Sequence, residues 1–418
     1  MGKALHFTSF GYPRRMLTQL RELRGHPGFT SLAISRFISN LGNGISPIAL
    51  AYGVLSLPGA DGKDLSLVMA ARFLPLIGFM LFGGVLADRF QRNRLVGGSD
   101  MIGSFIAAVS AISLIADFSS VWLLALMGAL FGILNAIWWP AMSGVLPEIM
   151  PKEKLQEGNA VIGLMTNFGY IIGTLTGGIL VATVGAGWGL LVDAITFFIA
   201  GVIVWFLPIM GRAKEKSPGI LHDLIVGWKE FISRTWVITM VCAFALINMA
   251  FESMLSVLGP LNFSDPKTGP KEWSYNLAAL SAGMLLAGVW VLKVKVKKPL
   301  RIAMILVAIS ALWDFTLAFD LPLIFSILAG VISGISLEVF IVSWNTSLQS
   351  HVPEESYSRV SSYDTLGSFG IAPLGIIIAG PLAMHFGVNT ILFVTGVTTF
   401  IAATLSLLVK AVRDLENP

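Results

Sequence analysis

The sequence predicts an all-α integral membrane protein of twelve transmembrane helices in two pseudo-symmetric halves of six. Three observations carry this. First, 55% of the 418 residues are hydrophobic and only 12% are charged, with a mean hydropathy of +0.79, whereas soluble domains are about 25% charged. Second, the chain holds a succession of apolar stretches of about 20 residues, the length that spans a bilayer core of about 30 Å as a helix. A barrel would instead alternate over about 10 residues per strand. Third, motifs recur at an offset of 202 residues: Pro151 and Glu153 reappear as Pro353 and Glu355, Gly173 as Gly375 and Gly178 as Gly380. An offset near half the chain length is what two parallel six-helix repeats produce.

The elements follow in order. Residues 1–28 form a cytoplasmic segment with Lys3, Arg14, Arg15, Arg21 and Arg24. The apolar segment after them is too long for a signal-peptide core and has no small-residue cleavage site, so span one stays in place. The first half, 29–207, holds spans near 29–57, 65–86, 95–116, 121–146, 160–183 and 188–207. Residues 208–235 form the longest connection, charged in GRAKEKSPG and then reading ILHDLIVGWKEFI. There Leu221, Leu224, Ile225, Trp228, Phe231 and Ile232 share one helical face, the pattern of an amphipathic helix at the inner membrane surface. The second half, 236–409, holds spans near 236–258, 274–292, 300–319, 322–347, 366–384 and 388–409, and 410–418 is a cytoplasmic tail.

Charge sets the orientation. Of the 28 Lys and Arg, 23 fall on the N-terminal side, Lys63, Lys267 and Lys271 on the other, and Arg36 and Arg72 within spans. Both termini are therefore expected in the cytoplasm. The formal charge of +4 is an insertion signal. Nucleic-acid binding is excluded, since the basic residues are scattered over loops and not gathered on one surface.

Enzyme chemistry finds no site. The single Cys242 allows no intramolecular disulfide, the five His are dispersed, and no phosphate-binding GxxxxGK[ST] occurs. No catalytic residue, metal site or cofactor is expected. The ionisable residues inside spans are the functional candidates, because charge in the bilayer is costly. They are Arg36, Arg72, Asp100, Asp193, Glu252, Asp314 and Glu338. Arg36 and Arg72 lie near span ends, where snorkelling to the surface is the plain expectation. Desolvation favours the neutral form of a carboxylate, which suits a group that loads and releases protons. Glu252, Asp314, Glu338 and Asp193 are thus the proton-coupling candidates. Amide and aromatic residues within spans suit a bulky, partly apolar organic molecule. Asn43, Trp138, Asn135, Asn248 and Asn345 are the substrate-binding candidates.

The glycines Gly169, Gly173 and Gly177 repeat every fourth residue in span five, on nearly one helical face, and allow close approach of another helix.

Residues 84–94, GVLADRFQRNR, join a glycine-rich apolar run to one acid and three arginines. They resemble the signature between helices two and three of the major facilitator superfamily, roughly G-x-L-a-D-r-x-G-r-[rk]-[rk]. Gln91 stands where glycine is usual and Asn93 where a basic residue is usual. Further stretches are similar to the drug:proton antiporter branch that includes macrolide-efflux and enterobactin-export proteins. They are Trp139 to Glu148, Pro151, Leu155 to Ala160, Asp193 to Phe197, Gln349 to Pro353, and Arg359 to Ser362. Residues 169–178, GYIIGTLTGG, resemble that branch's antiporter motif with Thr174 in place of proline. The branch's first span often carries an acid where Asn43 stands, and an arginine where Gly103 follows Asp100.

The resemblance implies an exporter of a hydrophobic or amphiphilic small molecule, working as a monomer against inward proton flow. It implies a gate in which Asp88, after Gly84, meets the start of span eleven, and Arg92 pairs with Asp100 or Glu148. It also implies that Gly169, Gly173, Gly177 and Gly178 let span five move against the second half. An importer or facilitator on the same fold, and a non-transporting membrane sensor or assembly partner, are the alternatives.

The charge count predicts that green fluorescent protein fused after Pro418 fluoresces and that alkaline phosphatase fused there is inactive. An active phosphatase would reverse the orientation.

Overall fold

The computed structural model describes residues 22–23, 25–208, 228–291 and 296–416. Among them the protein is helical without strands, and a helix stands at each of the twelve expected places. These are α1 (Phe29–Leu55), α2 (Gly62–Arg89), α3 (Arg92–Ile115), α4 (Val121–Ser143), α5 (Leu155–Val184), α6 (Ala186–Trp205), α7 (Thr235–Ser253, continued to Asn262), α8 (Gly269–Val291), α9 (Pro299–Ser310 and Leu312–Ala318), α10 (Leu323–His351), α11 (Glu354–Phe369 and Ala372–Phe386) and α12 (Val388–Leu408). Nine of the described helices are long and apolar enough to cross a membrane. The others, α1, α2 and α8, are of comparable length, 27, 28 and 23 residues.

Several boundaries differ from expectation for local reasons. Span four stops at Ser143, where Gly144 caps it and a short helix, Val145–Ile149, turns away. Span seven runs on through a π turn, Met254–Leu258. Span eleven begins twelve residues before its apolar part and breaks at Gly370 and Ile371. Of the expected amphipathic linker helix, Leu221, Leu224 and Ile225 lie outside the described residues. The part from Trp228 is helical, with Trp228 and Ile232 exposed and Phe231 buried. Most of the N-terminal segment also lies outside them.

The repeat is visible in the backbone. Asp117 and Asp320, 203 positions apart, both adopt positive φ at the turns before α4 and α10. Gly185 (φ 98°) and Gly387 (φ 86°), 202 positions apart, do the same before α6 and α12, a conformation glycine adopts without a Cβ clash.

Packing divides the helices into two groups. α1 packs on α5 and α6, α2 on α4, and α3 on α4 and α6. In the second group α8 packs on α10, α9 on α10 and α12, and α7 on α11 and α12. Two helix pairs make the main crossings between the groups, α5 with α8 and α2 with α11. Glycines make both possible. A Cβ on Gly178 would strike Ser274 and, at 2.7 Å, the carbonyl oxygen of Pro270 in α8. A Cβ on Gly380, 202 positions later, would strike the Gly62 carbonyl and Ser66 in α2. The Gly380 N–H also donates to Ser66 Oγ at 2.8 Å.

The other motif glycines do something different from what was expected. Gly169, Gly173 and Gly177 face α1, where an added Cβ would meet the backbone of Phe37, Leu41 and Ile45. Both helices advance by four residues, so the glycine stripe seats α1 inside the first group, and only Gly178 faces the second.

The cores show where the groups join. At the end holding the α1–α2 and α7–α8 turns, one core runs through both groups, from Ile48, Leu65 and Leu190 to Trp273, Trp313 and Ile376. There Tyr52 Oη donates to the Phe263 carbonyl at 2.7 Å. At the end bearing the termini each group has its own core, Leu23, Trp138 and Leu146 in one and Trp236, Phe340 and Val412 in the other.

Gly173→Val should therefore destabilise the protein by roughly 1–3 kcal/mol, the usual cost of overpacking. Gly84→Val, at a position with nothing within 4 Å of an added Cβ, should leave the melting temperature in detergent unchanged. Equal melting of the two variants would refute the close α1–α5 contact.

Candidate functional site

The turn between α2 and α3 is a node of charge and caps. Arg92 Nε lies 3.4 Å from Glu148 Oε1, and the guanidinium lies over Gly144, where any Cβ would displace it. Asn93 Nδ2 donates to the carbonyls of Trp205 and Leu207 at 3.3 and 3.0 Å, closing the C-terminal end of α6. The guanidinium carbon of Arg94 sits 4.4 Å over the Trp205 ring. An amide at 93 thus serves where a cation is usual, since both donate to helix-terminal carbonyls. The Asp88 side chain, and with it the expected contact to span eleven, lies outside the described residues. Gly84 faces open space; its neighbour Gly83 is the one pressed on the Ala136 carbonyl of α4.

Asp100, the other expected partner of Arg92, lies deeper. It lines a cavity of about 320 Å³ walled by α1 to α6, with Arg36, Asn40, Asn43, Arg72, Asn135, Trp138 and Tyr170. Arg36 does not snorkel to the surface: its guanidinium carbon lies 4.8 Å over the Trp138 ring, within electrostatic reach of Asp100. Arg72 likewise lies inside, 4.6 Å over Phe131 and in reach of Asp193 and Tyr170. Cation over ring is the arrangement that lowers the cost of a desolvated guanidinium. Asp193 is buried, with neither carboxylate oxygen hydrogen-bonded among the described residues. It faces α1 at Gly42, where a Cβ would collide with it and with Thr196.

Three of the substrate candidates, Asn43, Asn135 and Trp138, share this cavity. The other two do not. Asn248 is buried and donates to the Ser368 carbonyl at 2.9 Å, beside the break in α11, and Asn345 is exposed on α10.

The acids of the second group are dispersed. Glu252 is partly buried on α7, just before the π turn, and is in electrostatic reach of Tyr170 on α5. Asp314 is buried after the break in α9, accepting from Thr395 Oγ1 at 2.7 Å. Glu338 faces Gly288 of α8. A further acid, Asp364, accepts from Trp344 Nε1 at 2.8 Å and Ser368 Oγ at 3.1 Å. Sequence reading missed it because its polar neighbourhood hid the helix; the acid four residues before Ser368 was the available signal. Tyr170, also missed, sat inside the glycine motif.

A sequence model of the Major Facilitator Superfamily matches residues 32–373. The chain is 24% identical over 409 residues to the multidrug efflux pump Tap of Mycobacterium tuberculosis (strain ATCC 25618 / H37Rv), covering 95% of this chain and 96% of that protein. It is 24% identical over 373 residues to the enterobactin exporter EntS of Escherichia coli O1:K1 / APEC, covering 88% of each. Its fold is similar to that of the nucleoside transporter NupG, with a TM-score of 0.73 at 13% identity over 91% of this chain and 98% of the other.

The Asn93 cap gives a graded expectation. Asn93→Ala removes two hydrogen bonds of about 0.5–1.5 kcal/mol each and should lower the melting temperature. Asn93→Asp, which cannot donate and places an anion at a helix C-terminus, should lower it further. An aspartate variant as stable as the wild type would refute the capping role.

Proposed function

The chain belongs to the Major Facilitator Superfamily, and on that premise we propose that it exports a hydrophobic or amphiphilic small molecule, drug-like or siderophore-like, in exchange for protons. The observation that carries this is the polar, aromatic-lined cavity inside a membrane-spanning bundle whose two helix groups share one core at one end and have separate cores at the other. Two relatives named as exporters, matched along most of their length, support the direction.

In this reading twelve spans form two six-helix halves that rock against each other, with the cavity in the first half, the protein acts as a monomer, and both termini are cytoplasmic. The end that is joined then faces outward and the separated end inward. Rocking breaks the contacts at Gly178, Gly380 and Tyr52 and brings the Arg92-bearing ends toward the second half, with Asp88, Arg92 and Glu148 as gate residues. Asp100 belongs to the cavity wall in this account and not to the gate.

Among the acids, Glu252 is the first choice for the coupling proton. It sits beside a π turn, a local distortion common at functional sites, and near Tyr170 across the groups. Asp193, held near Arg72, is the second. Asp314 has a hydroxyl donor from Thr395 and is a better structural anchor than carrier, and Glu338 stays a weaker candidate.

Inverted membrane vesicles, acidified inside, should release protons when lipophilic drugs or siderophores are added. Glu252→Gln should abolish that release while leaving insertion intact. Asp88→Asn should slow transport with less effect on insertion. Correctly inserted protein that moves no protons with any compound would overturn antiport.

A further inference from the structure

The cavity in the first helix group places two guanidinium groups in the interior of the bundle. Arg36 and Arg72 both line it. Each is held by a ring, Trp138 at 4.8 Å and Phe131 at 4.6 Å. Among the described residues no hydrogen bond or ion pair within 4 Å reaches either guanidinium, although Asp100 and Asp193 stand within electrostatic reach. A guanidinium offers five N–H donors in a plane, and stacking on a ring leaves the donor edge free. Arg72 and Asp193 also line a smaller neighbouring cavity with Ser46, and the ionisable side chains of the larger cavity are Arg36, Arg72, Asp100 and Tyr170. Of the three lining amides, Asn40 Nδ2 donates to the Arg36 carbonyl at 2.7 Å and Asn43 Nδ2 to Asn40 Oδ1 at 3.5 Å; Asn135 is the third. Both arginines are partly exposed to the cavity, where an arriving acceptor can pair with the donor edge.

Resting on the transporter reading, we propose that the substrate of this cavity carries an anionic, acceptor-rich group of the carboxylate type, attached to an aromatic or apolar body. The anionic group is clasped between Arg36 and Arg72, and the body lies against Trp138, Trp139 and Tyr170. The charge-assisted, two-oxygen geometry of such a group matches guanidinium donors. A cationic amphiphile would meet two like charges at the same wall.

A matched set of naphthalene probes tests this: 1-naphthoate, 1-naphthalenemethanol and 1-naphthylmethylamine, titrated against purified full-length protein in nanodiscs with tryptophan quenching as the readout. Saturable binding of the naphthoate is expected, at least about tenfold tighter than the alcohol, as a charged hydrogen bond predicts. Arg36→Gln and Arg72→Gln should each weaken naphthoate binding about tenfold and leave the alcohol unchanged. Arg36→Lys, which keeps the charge without the fork, should fall between and serves if a glutamine variant fails to fold. Tightest binding by the amine, or no saturable binding of the naphthoate, overturns the proposal. Proton release driven only by cationic drugs would refute it while leaving the exporter reading intact, whereas naphthoate binding without proton movement would do the reverse.

Discussion

The fold depends on two helix crossings that only glycine allows. At Gly178 and Gly380 a helix of one group comes so close to a helix of the other that an added methyl group would overlap its atoms. In lipid there is no hydrophobic force to press helices together, so close van der Waals contact and interhelical hydrogen bonds must hold them. The two crossings are related by the internal repeat: α5 meets the start of α8, and α11 meets the start of α2. They lie toward one end, where a single core runs through both groups. In the proposed rocking, a contact so close and so local is either seated or separated, because packed interfaces are not continuously deformable.

Within the first group a different demand applies. The Gly169, Gly173 and Gly177 stripe fixes α1 against α5 and so fixes Arg36, Asn40 and Asn43 relative to Tyr170. Gly42 brings α1 onto Asp193. Small residues on α1 and α5 therefore determine where the polar residues between them stand. The rigid helices hold the charges, and no loop does so.

Much of this was legible from composition and spacing. Helix positions followed from apolar length, and the 202-residue offset read from Gly178 and Gly380 also relates the positive-φ turns at Gly185 and Gly387. The cavity was legible in part: Asn43, Asn135 and Trp138 meet in it. Asn248 and Asn345 do not, because whether an amide faces a cavity or a backbone carbonyl depends on tertiary packing that hydropathy does not encode. For the same reason Arg36 looked like a surface-seeking residue. Its distance from the helix end allowed snorkelling, but Trp138 and Asp100, remote in sequence, supply the alternative. The glycine stripe was correctly read as a contact face and assigned to the wrong neighbour, since periodicity gives a face and not its partner.

The two groups also differ in kind despite their shared topology. The arginines that line the cavity, Arg36 and Arg72, both belong to the first group, on the uninterrupted helices α1 and α2. The second group has acids and interrupted helices: the π turn after Glu252, the break before Asp314 and the break after Asp364. Interrupted helices leave backbone groups unpaired and bend more readily. A group that must hold a ligand benefits from fixed cations, and one that must change shape as a carboxylate gains or loses charge benefits from local give next to that carboxylate. Under the proposed antiport the asymmetry gives recognition to the first group and response to the second, and Tyr170, near both Arg72 and Glu252, stands where the two meet.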